Sequence, residues 1–226
     1  MSAIEFDKDS CAWGVTSHPE SRWPASAAVI AAVLLYVTLP ERFTVGPAWL
    51  FPLLEMALLV PLSVAVPTRH ARETAAHRAA SIGLVALVSA ANVASLALLV
   101  IGLLNGVQRA GTELIFAAMQ IWLTNVIVFG LWYWELDRGG PSARCRDRHR
   151  EPDFLFPQMS TPAAAPQNWV PRFLDYLYVA FTNATAFSPT DTLPLTAWAK
   201  ILMAVQSLAS LLTVALVAAR AVNILQ

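Results

Sequence analysis

The side chains best suited to contact cations lie close together between positions 185 and 191. Thr185, Ser188 and Thr190 carry hydroxyl groups, and Asp191 carries a carboxylate. Hydroxyl and carboxylate oxygens can line an ion pathway, and a ring of carboxylates attracts cations. The segment 185–191 is therefore the first candidate site.

Two other polar features interrupt apolar segments of the chain. Glu55 lies near the centre of one such segment, where a carboxyl group is either an ion or proton site or a protonated acid bonded to a neighbouring helix. Gln206, Ser210 and Thr213 are spaced at i, i+4 and i+7, which places them on one face of a helix. That face either lines a water-filled cavity or supplies hydrogen bonds between helices.

No group of residues in the sequence marks an enzyme. A phosphate-binding loop, a dinucleotide fingerprint, a zinc-protease motif and a nucleophile elbow are all missing. Cys145 and His149 lie four residues apart, but two ligands do not make a zinc site. The formal net charge is zero and no basic stripe is present, which argues against nucleic acid as a partner. We expect no catalytic residues, no metal site and no cofactor.

The composition is that of a membrane protein. Hydrophobic residues make up 57% of the 226 residues and charged residues 13%, against about 25% charged in soluble domains. The mean hydropathy is +0.54. Most of the apolar blocks approach the roughly 20 residues that cross a bilayer. The blocks cover 25–40, 48–66, 80–104, 112–134 and 197–222. The sequence predicts an all-α integral membrane protein with five transmembrane helices.

These blocks divide the chain into six segments. The first 24 residues lack the features of a signal peptide, so the first block is expected to remain as a transmembrane helix. That helix could continue through Pro40 to about Val45 with a kink. The Pro- and Arg-rich segment 137–171 shows no periodicity and is predicted to be a surface loop. The segments are a polar tail (1–24), a first hairpin (25–66), a charged linker (67–79), a second hairpin (80–136), the polar loop (137–171) and a last module (172–226).

The last module opens with a helix that is too short to cross a bilayer. The 15 residues from Phe173 to Phe187 would form about 22 Å of helix, whereas the hydrocarbon core is roughly 30 Å thick. Polar backbone at membrane depth needs protein or water around it. We predict a re-entrant helix over 172–187, a loop over 188–196 and a final helix over 197–224. The alternative is a short, tilted sixth span.

The basic residues are unevenly divided between the two sides of the five-span arrangement. Twelve of the fifteen fall on the side of the N-terminus and of the segment 188–200. An excess of Lys and Arg in short loops marks the cytoplasm. The charge distribution therefore predicts a cytoplasmic N-terminus and a cytoplasmic mouth.

The stretch FLDYLYVAFTNATAFSPTD-TLPLT resembles the pore helix and filter of the potassium-channel superfamily, and the helix after it resembles their inner helix. Lys200 stands where a basic residue is common, and Ser210 falls near the usual hinge glycine. The likeness implies a homotetramer with the last module innermost, in the plasma membrane of a bacterium and in contact with lipids. The matching residues are Phe173, Asp175, Leu177, Tyr178, Phe181, Thr185, Asp191, Pro194 and Thr196.

The filter glycines of that superfamily are replaced in this chain. A stacked potassium filter needs glycine conformations, but Ser188 and Thr190 stand at those positions, and Pro189 between them fixes its own φ. Phe187 precedes this segment. The resemblance then implies a wider, weakly selective pore for monovalent cations, in which Asp191 draws ions to the mouth.

The remaining roles follow from the same resemblance. Ser188 and Thr190 would line the constriction, and Gln206, Ser210 and Thr213 would line the cavity. Potassium channels face the filter outward, opposite to the charge distribution here, although an inverted pore exists in the glutamate-receptor branch. The alternatives are a non-conducting scaffold that contacts lipids or partners, and a secondary transporter that uses Glu55.

Overall fold

The computed structural model describes residues 21–47, 49–65, 75–104, 111–146, 151–166, 169–186 and 191–224, and these residues are mainly helical. The predicted helical fold class is thus confirmed. The helices are α1 (Trp23–Val37), α2 (Leu50–Ala65), α3 (Ala75–Leu104), α4 (Gly111–Leu136), α5 (Pro141–Arg146), α6 (Pro157–Ser160), α7 (Phe173–Ala186) and α8 (Ala197–Ile224). Two short strands, β1 (Phe154–Leu155) and β2 (Leu193–Pro194), form an antiparallel pair.

Three of these helices, α3, α4 and α8, are long and apolar enough to cross a membrane. They contain 30, 26 and 28 residues, which exceeds the roughly 20 residues required. The apolar helices α1 and α2 are shorter, with 15 and 16 residues. The described chain thus has the helices of a membrane protein.

Two helix boundaries differ from the sequence prediction. α1 ends at Val37, and a 3-10 turn over Glu41–Phe43 follows instead of a kinked extension to Val45. α3 begins at Ala75, inside the segment that was predicted to be a charged linker. Its first turns contain several alanines, the residue with the highest helix propensity, and the helix can therefore start before the apolar block.

The surface-loop prediction for 137–171 is wrong for much of the described part of this segment, which contains completely buried residues. Phe154 is completely buried, and its ring lies 5.0 Å from that of Tyr133, 5.8 Å from that of Trp198 and 6.3 Å from that of Tyr176. Aromatic groups at these separations attract each other and exclude water. Phe154 thus packs the β1 part of the segment against α4, α7 and α8.

α4 lies at the centre of the described fold and contacts α1, α3, α7 and α8. Its apolar span is 56% buried, whereas that of α8 is only 22% buried. α8 therefore contacts the rest of the chain with one face and leaves the other face uncovered.

Gly130 lets α7 approach the backbone of α4 closely. A Cβ atom at this position would lie 3.1 Å from both the Cα and the Cδ1 atoms of Leu177. We expect Gly130→Ala to displace α7 from α4 and to destabilise the fold by about 1–3 kcal/mol, as overpacking usually does. Thermal unfolding in detergent measures the loss. Gly83→Ala, where a Cβ meets no atom within 4 Å, is the matched control and should not destabilise.

Candidate functional site

α4, α7 and α8 form a three-helix module, and α7 and α8 contain the residues singled out at 173–185 and 200–213. α7 runs antiparallel to α4: Trp134 of α4 contacts Phe173 at 5.9 Å, and Trp122, three turns earlier, contacts Phe181 at 6.1 Å between ring centres. α7 and α8 run in the same direction, because both begin beside the buried end of α4.

The carboxylates of Asp137 and Asp153 form a hydrogen-bonded cluster at that end of α4, and we call this cluster the anchor. Asp137 is the first of its two carboxylates. Its carboxylate is completely buried and accepts a hydrogen bond from the Tyr176 hydroxyl at 2.6 Å. It also accepts the Nε–H of Arg138 at 3.1 Å and the backbone N–H of Asp153 at 2.9 Å. Burial raises the pKa of the Tyr176 hydroxyl well above its usual range, so this group remains a proton donor to the carboxylate.

Asp153 forms the second half of the anchor. Its carboxylate accepts the backbone N–H of Arg138 at 2.7 Å and the indole N–H of Trp198 at 2.9 Å. Its backbone carbonyl accepts the N–H of Leu195 at 2.8 Å, beside the β1–β2 pair. Asp153 thus ties the beginning of α8, and the extended segment before it, to the end of α4.

Arg144 binds the backbone at the end of α4, beside the anchor. Its Nη1 donates to the carbonyl oxygens of Trp134 at 2.7 Å and Asp137 at 3.0 Å, which terminate α4. The guanidinium group lies over the Tyr176 ring, 5.1 Å from its centre. Cation–π contacts of this kind are favourable when the cation is withdrawn from water. Buried carboxylates and guanidinium groups thus compensate one another at the anchor.

A sharp turn brings these charges together. Arg138, Gly139 and Gly140 have φ values of 51°, 79° and 95°, so the chain reverses directly after α4. Residues other than glycine rarely adopt this region, and the two carboxylates that bind Arg138 compensate for the strain. Arg78 of α3 donates to the Gly139 carbonyl and ties the turn to the neighbouring hairpin.

Asp175 caps the beginning of α7. Its carboxylate accepts the backbone N–H of Arg172 at 2.7 Å, which satisfies a donor at the helix N-terminus. Partial burial raises the pKa of the Asp175 carboxyl above its usual value, while the hydrogen bond and the charge of Arg172 oppose this shift. The capped end fixes where α7 starts relative to the anchor.

The position of the anchor determines the path of the chain beyond α7. Tyr176 in the first turn of α7 and Trp198 in the first turn of α8 both bind it. α7 then leads away from the anchor for 14 residues, about 21 Å of helix. The start of α8 at Ala197, eleven positions after Ala186, therefore lies again at the level at which α7 began.

Amide and hydroxyl groups join the three helices at mid-length. Gln206 is completely buried. Its Oε1 atom accepts hydrogen bonds from the Tyr133 hydroxyl at 2.5 Å and from Asn183 Nδ2 at 2.8 Å. Its Nε2 atom donates to the carbonyl of Ala180 at 2.8 Å. Asn183 also donates to the carbonyl of Met203 at 3.0 Å. This network satisfies polar groups of α4, α7 and α8 with one another.

The three residues predicted to line a cavity face the interior of the chain. Gln206 and Ser210 have no exposed area and Thr213 is 3% exposed. Ser210 accepts from Asn125 of α4 at 3.0 Å, and Thr213 bonds the carbonyl of Ala209 in its own helix. Within the described chain these side chains are enclosed by helices. The contacts of Gln206 and Ser210 are those of the alternative, hydrogen bonding between helices.

The opposite face of α8 is apolar and exposed. Ile201 is 65% exposed, Leu208 66% and Val205 50%. If copies of α8 surround an axis, this face, rather than the one with Gln206, is available to it.

Two predicted mouth residues fall within the described chain. Thr185 is exposed, and its hydroxyl donates back to the carbonyls of Phe181 and Thr182 in α7. Asp191 is exposed at the start of the segment that leads to β2. Phe187, Ser188, Pro189 and Thr190 lie outside the described residues, so the structure describes only the two ends of the mouth.

Glu55 lies in α2, in the other half of the molecule. Its side chain is 1% exposed, and in the described part of the chain its Oε2 atom has no hydrogen-bond partner. The structure does not bring Glu55 to the α4–α7–α8 module.

The sequence predicted Gln206 but neither the anchor nor the place of Asn183 in the amide network. Asp137 and Asp153 lie in a segment without periodicity, so no pattern predicts that they are buried. Asn183 did give a signal, because an amide in an apolar helix is costly unless it is hydrogen bonded. Gln206, the amide of α8, is the hydrogen-bond partner that such a side chain requires.

Compared with family models, with curated proteins and with solved structures, the chain gives no match.

Proposed function

We propose that this chain is the protomer of a channel-like membrane protein that passes monovalent cations and discriminates little between K⁺ and Na⁺. The proposed pore module consists of α4 as outer helix, α7 as re-entrant helix and α8 as inner helix. Four copies would surround the axis, with the segment 187–191 at the constriction.

The observation that carries this proposal is the shared starting point of α7 and α8. A 14-residue helix that leaves the anchor, and a next helix that starts beside it again, support a re-entrant helix followed by a filter-like loop. Irregular backbone at membrane depth is stable where protein encloses it or where it lines water. The amide network around Gln206 holds α7 in place and so supports the same arrangement.

The proposal includes five spans in a bacterial plasma membrane, with the N-terminus in the cytoplasm. α3, α4 and α8 supply three of the spans. α1 and α2 would be the other two, although each is only about 22–24 Å long and would require local thinning of the bilayer. Twelve of fifteen basic residues support this orientation.

Asp191→Asn tests the role of the mouth. In proteoliposomes with equal amounts of folded protein, we expect wild type to conduct K⁺ and Na⁺ at similar rates. The variant should conduct up to about tenfold less, because a carboxylate at a pore mouth raises the local concentration of cations. Flux is measured with a fluorescent indicator for each ion. Glu113→Gln is the control and should leave the flux unchanged. Glu113 is a partly exposed acid of α4 that forms an ion pair with Arg42 in the turn after α1.

A second candidate, a non-conducting protein with this fold, is favoured by the exposed face of α8. That face carries Ile201, Val205 and Leu208, and a narrow axis lined by such side chains would exclude water. Wild-type flux no higher than in empty liposomes, from protein shown to be folded and tetrameric, would replace the channel with this candidate.

A further inference from the structure

Ser95 of α3 differs from Ser89, its neighbour in the same helix. Serine side chains in helices often donate back to a carbonyl one turn earlier. Ser89 donates in this way to Val85 at 2.6 Å, and its hydroxyl oxygen accepts the indole N–H of Trp132 at 2.8 Å. Ser95 is 1% exposed, and in the described chain its hydroxyl has no hydrogen-bond partner. A buried hydroxyl of this kind is costly unless something else bonds to it.

A small cavity lies beside Ser95, between α1, α3 and α4. Its volume of about 10 Å³ is close to the smallest that holds one water molecule. A buried water also needs two to four polar partners. Apolar side chains form part of the cavity wall, and polar residues form the rest. These polar residues are Tyr36 of α1, Asn92 and Ser95 of α3, and Gln120 and Thr124 of α4.

The polar residues of α3 and α4 offer both donors and acceptors to a molecule in the cavity. The Ser95 hydroxyl can donate and accept, and the Asn92 amide carries two N–H donors and one carbonyl acceptor. The Thr124 hydroxyl donates to the Gln120 carbonyl at 2.9 Å, which leaves its oxygen available as an acceptor. A water molecule both donates and accepts, so this set of groups matches it.

The same oxygen atoms would suit a small cation only if its charge were compensated. No charged residue of the described chain lines the cavity. A full charge inside an apolar bundle is costly unless an opposite charge is paired with it. A water molecule brings hydrogen bonds without a net charge, and the neutral wall therefore favours water.

We propose that Ser95, Asn92 and Thr124 bind one water molecule in this cavity, and that the water joins α3 to α4 beside the end of α1. The site does not depend on the proposed pore. Gln120 donates directly to the Thr38 hydroxyl at 2.8 Å and so links α4 to α1 at the same level. The water extends this link to α3, because ordered water can satisfy polar groups that membrane helices leave without a protein partner.

Water-edited solid-state NMR of the full chain in lipid bilayers tests the site. In protein with ¹³C-labelled serine, each serine receives magnetisation from nearby water at a rate that falls steeply with distance. Ser210 is the internal control, because it is buried in a long helix like Ser95 but accepts a direct hydrogen bond from Asn125 at 3.0 Å. We expect the Ser95 signal to build up several-fold faster than that of Ser210. Ser95→Ala and Ser210→Ala assign the two signals.

Two variants of Thr124 examine the site while Ser95 is kept. Thr124→Val preserves the shape of the side chain without its hydroxyl and should slow the build-up at Ser95 several-fold. Thr124→Ser retains the hydroxyl and should leave the build-up unchanged.

Three results would overturn the proposal. The first is equal build-up at Ser95 and Ser210 in wild type, which needs no variant to fold. The second is a build-up at Ser95 that Thr124→Val leaves unchanged. The third is a Ser95 chemical shift that moves when choline replaces Na⁺ in the buffer, which would assign the cavity to a cation.

Discussion

Asp137→Ala is expected to destabilise the folded chain by about 3–5 kcal/mol, the usual cost of removing one partner from a buried charge network. The substitution leaves the Tyr176 hydroxyl and the Arg138 guanidinium buried without their acceptor. It also removes the acceptor of the Asp153 N–H, which helps to hold the start of α8. The fraction of folded protein during a denaturant titration in mixed micelles measures the loss.

Two variants make this experiment specific to the anchor. Asp137→Asn keeps the shape and one carbonyl oxygen, so we expect a smaller loss than for alanine. Glu113→Gln removes a carboxylate from a partly exposed ion pair with Arg42 and should cost no more than about 1 kcal/mol. Equal stability of Asp137→Ala and Glu113→Gln would show that the anchor does not hold the three helices together.

Gln206→Leu should have the second largest effect, a loss of about 1–3 kcal/mol from leaving buried polar groups unsatisfied. The Tyr133 hydroxyl loses its acceptor, and Asn183 loses one of its two acceptors. A double-mutant cycle with Tyr133→Phe isolates the shared bond, and we expect the double variant to be more stable than the sum of the two single losses predicts.

Thr213→Val is the matched control on the same face of α8. Its hydroxyl bonds a carbonyl of its own helix, so its removal should leave no partner on α4 or α7 unsatisfied. Strict additivity of Gln206→Leu and Tyr133→Phe, or an equal loss in Thr213→Val, would contradict the network.

Periodicity predicts which residues share a helix face, but not what that face contacts. Gln206, Ser210 and Thr213 do lie on one face of α8, as their spacing requires. Whether that face meets water or other helices depends on α4 and α7, which supply Asn125, Tyr133 and Asn183. These partners are 23 to 85 positions away in the sequence, so no local pattern could choose between the two alternatives.

The helix boundaries and the anchor also show how far local sequence patterns predict structure. Hydrophobic block length locates the long helices α3, α4 and α8, because about 20 apolar residues have few other stable arrangements. The segment 137–171 has neither period nor hydrophobic block. Its structure depends on Phe154 and Asp153 meeting side chains of three helices, and such long-range contacts leave no trace in local composition.

The chain order of the anchor groups has a consequence for biosynthesis. The carboxylate of Asp153 accepts hydrogen bonds from Arg138 and from Trp198. Trp198 is synthesised 45 residues after Asp153. Chains fold progressively from the N-terminus as they leave the ribosome. The hairpins α1–α2 and α3–α4 can thus associate while the anchor still lacks the Trp198 indole. The anchor completes its hydrogen bonding only when α8 arrives, so truncation before Trp198 should leave α3 and α4 formed and Asp153 available to quality-control proteases.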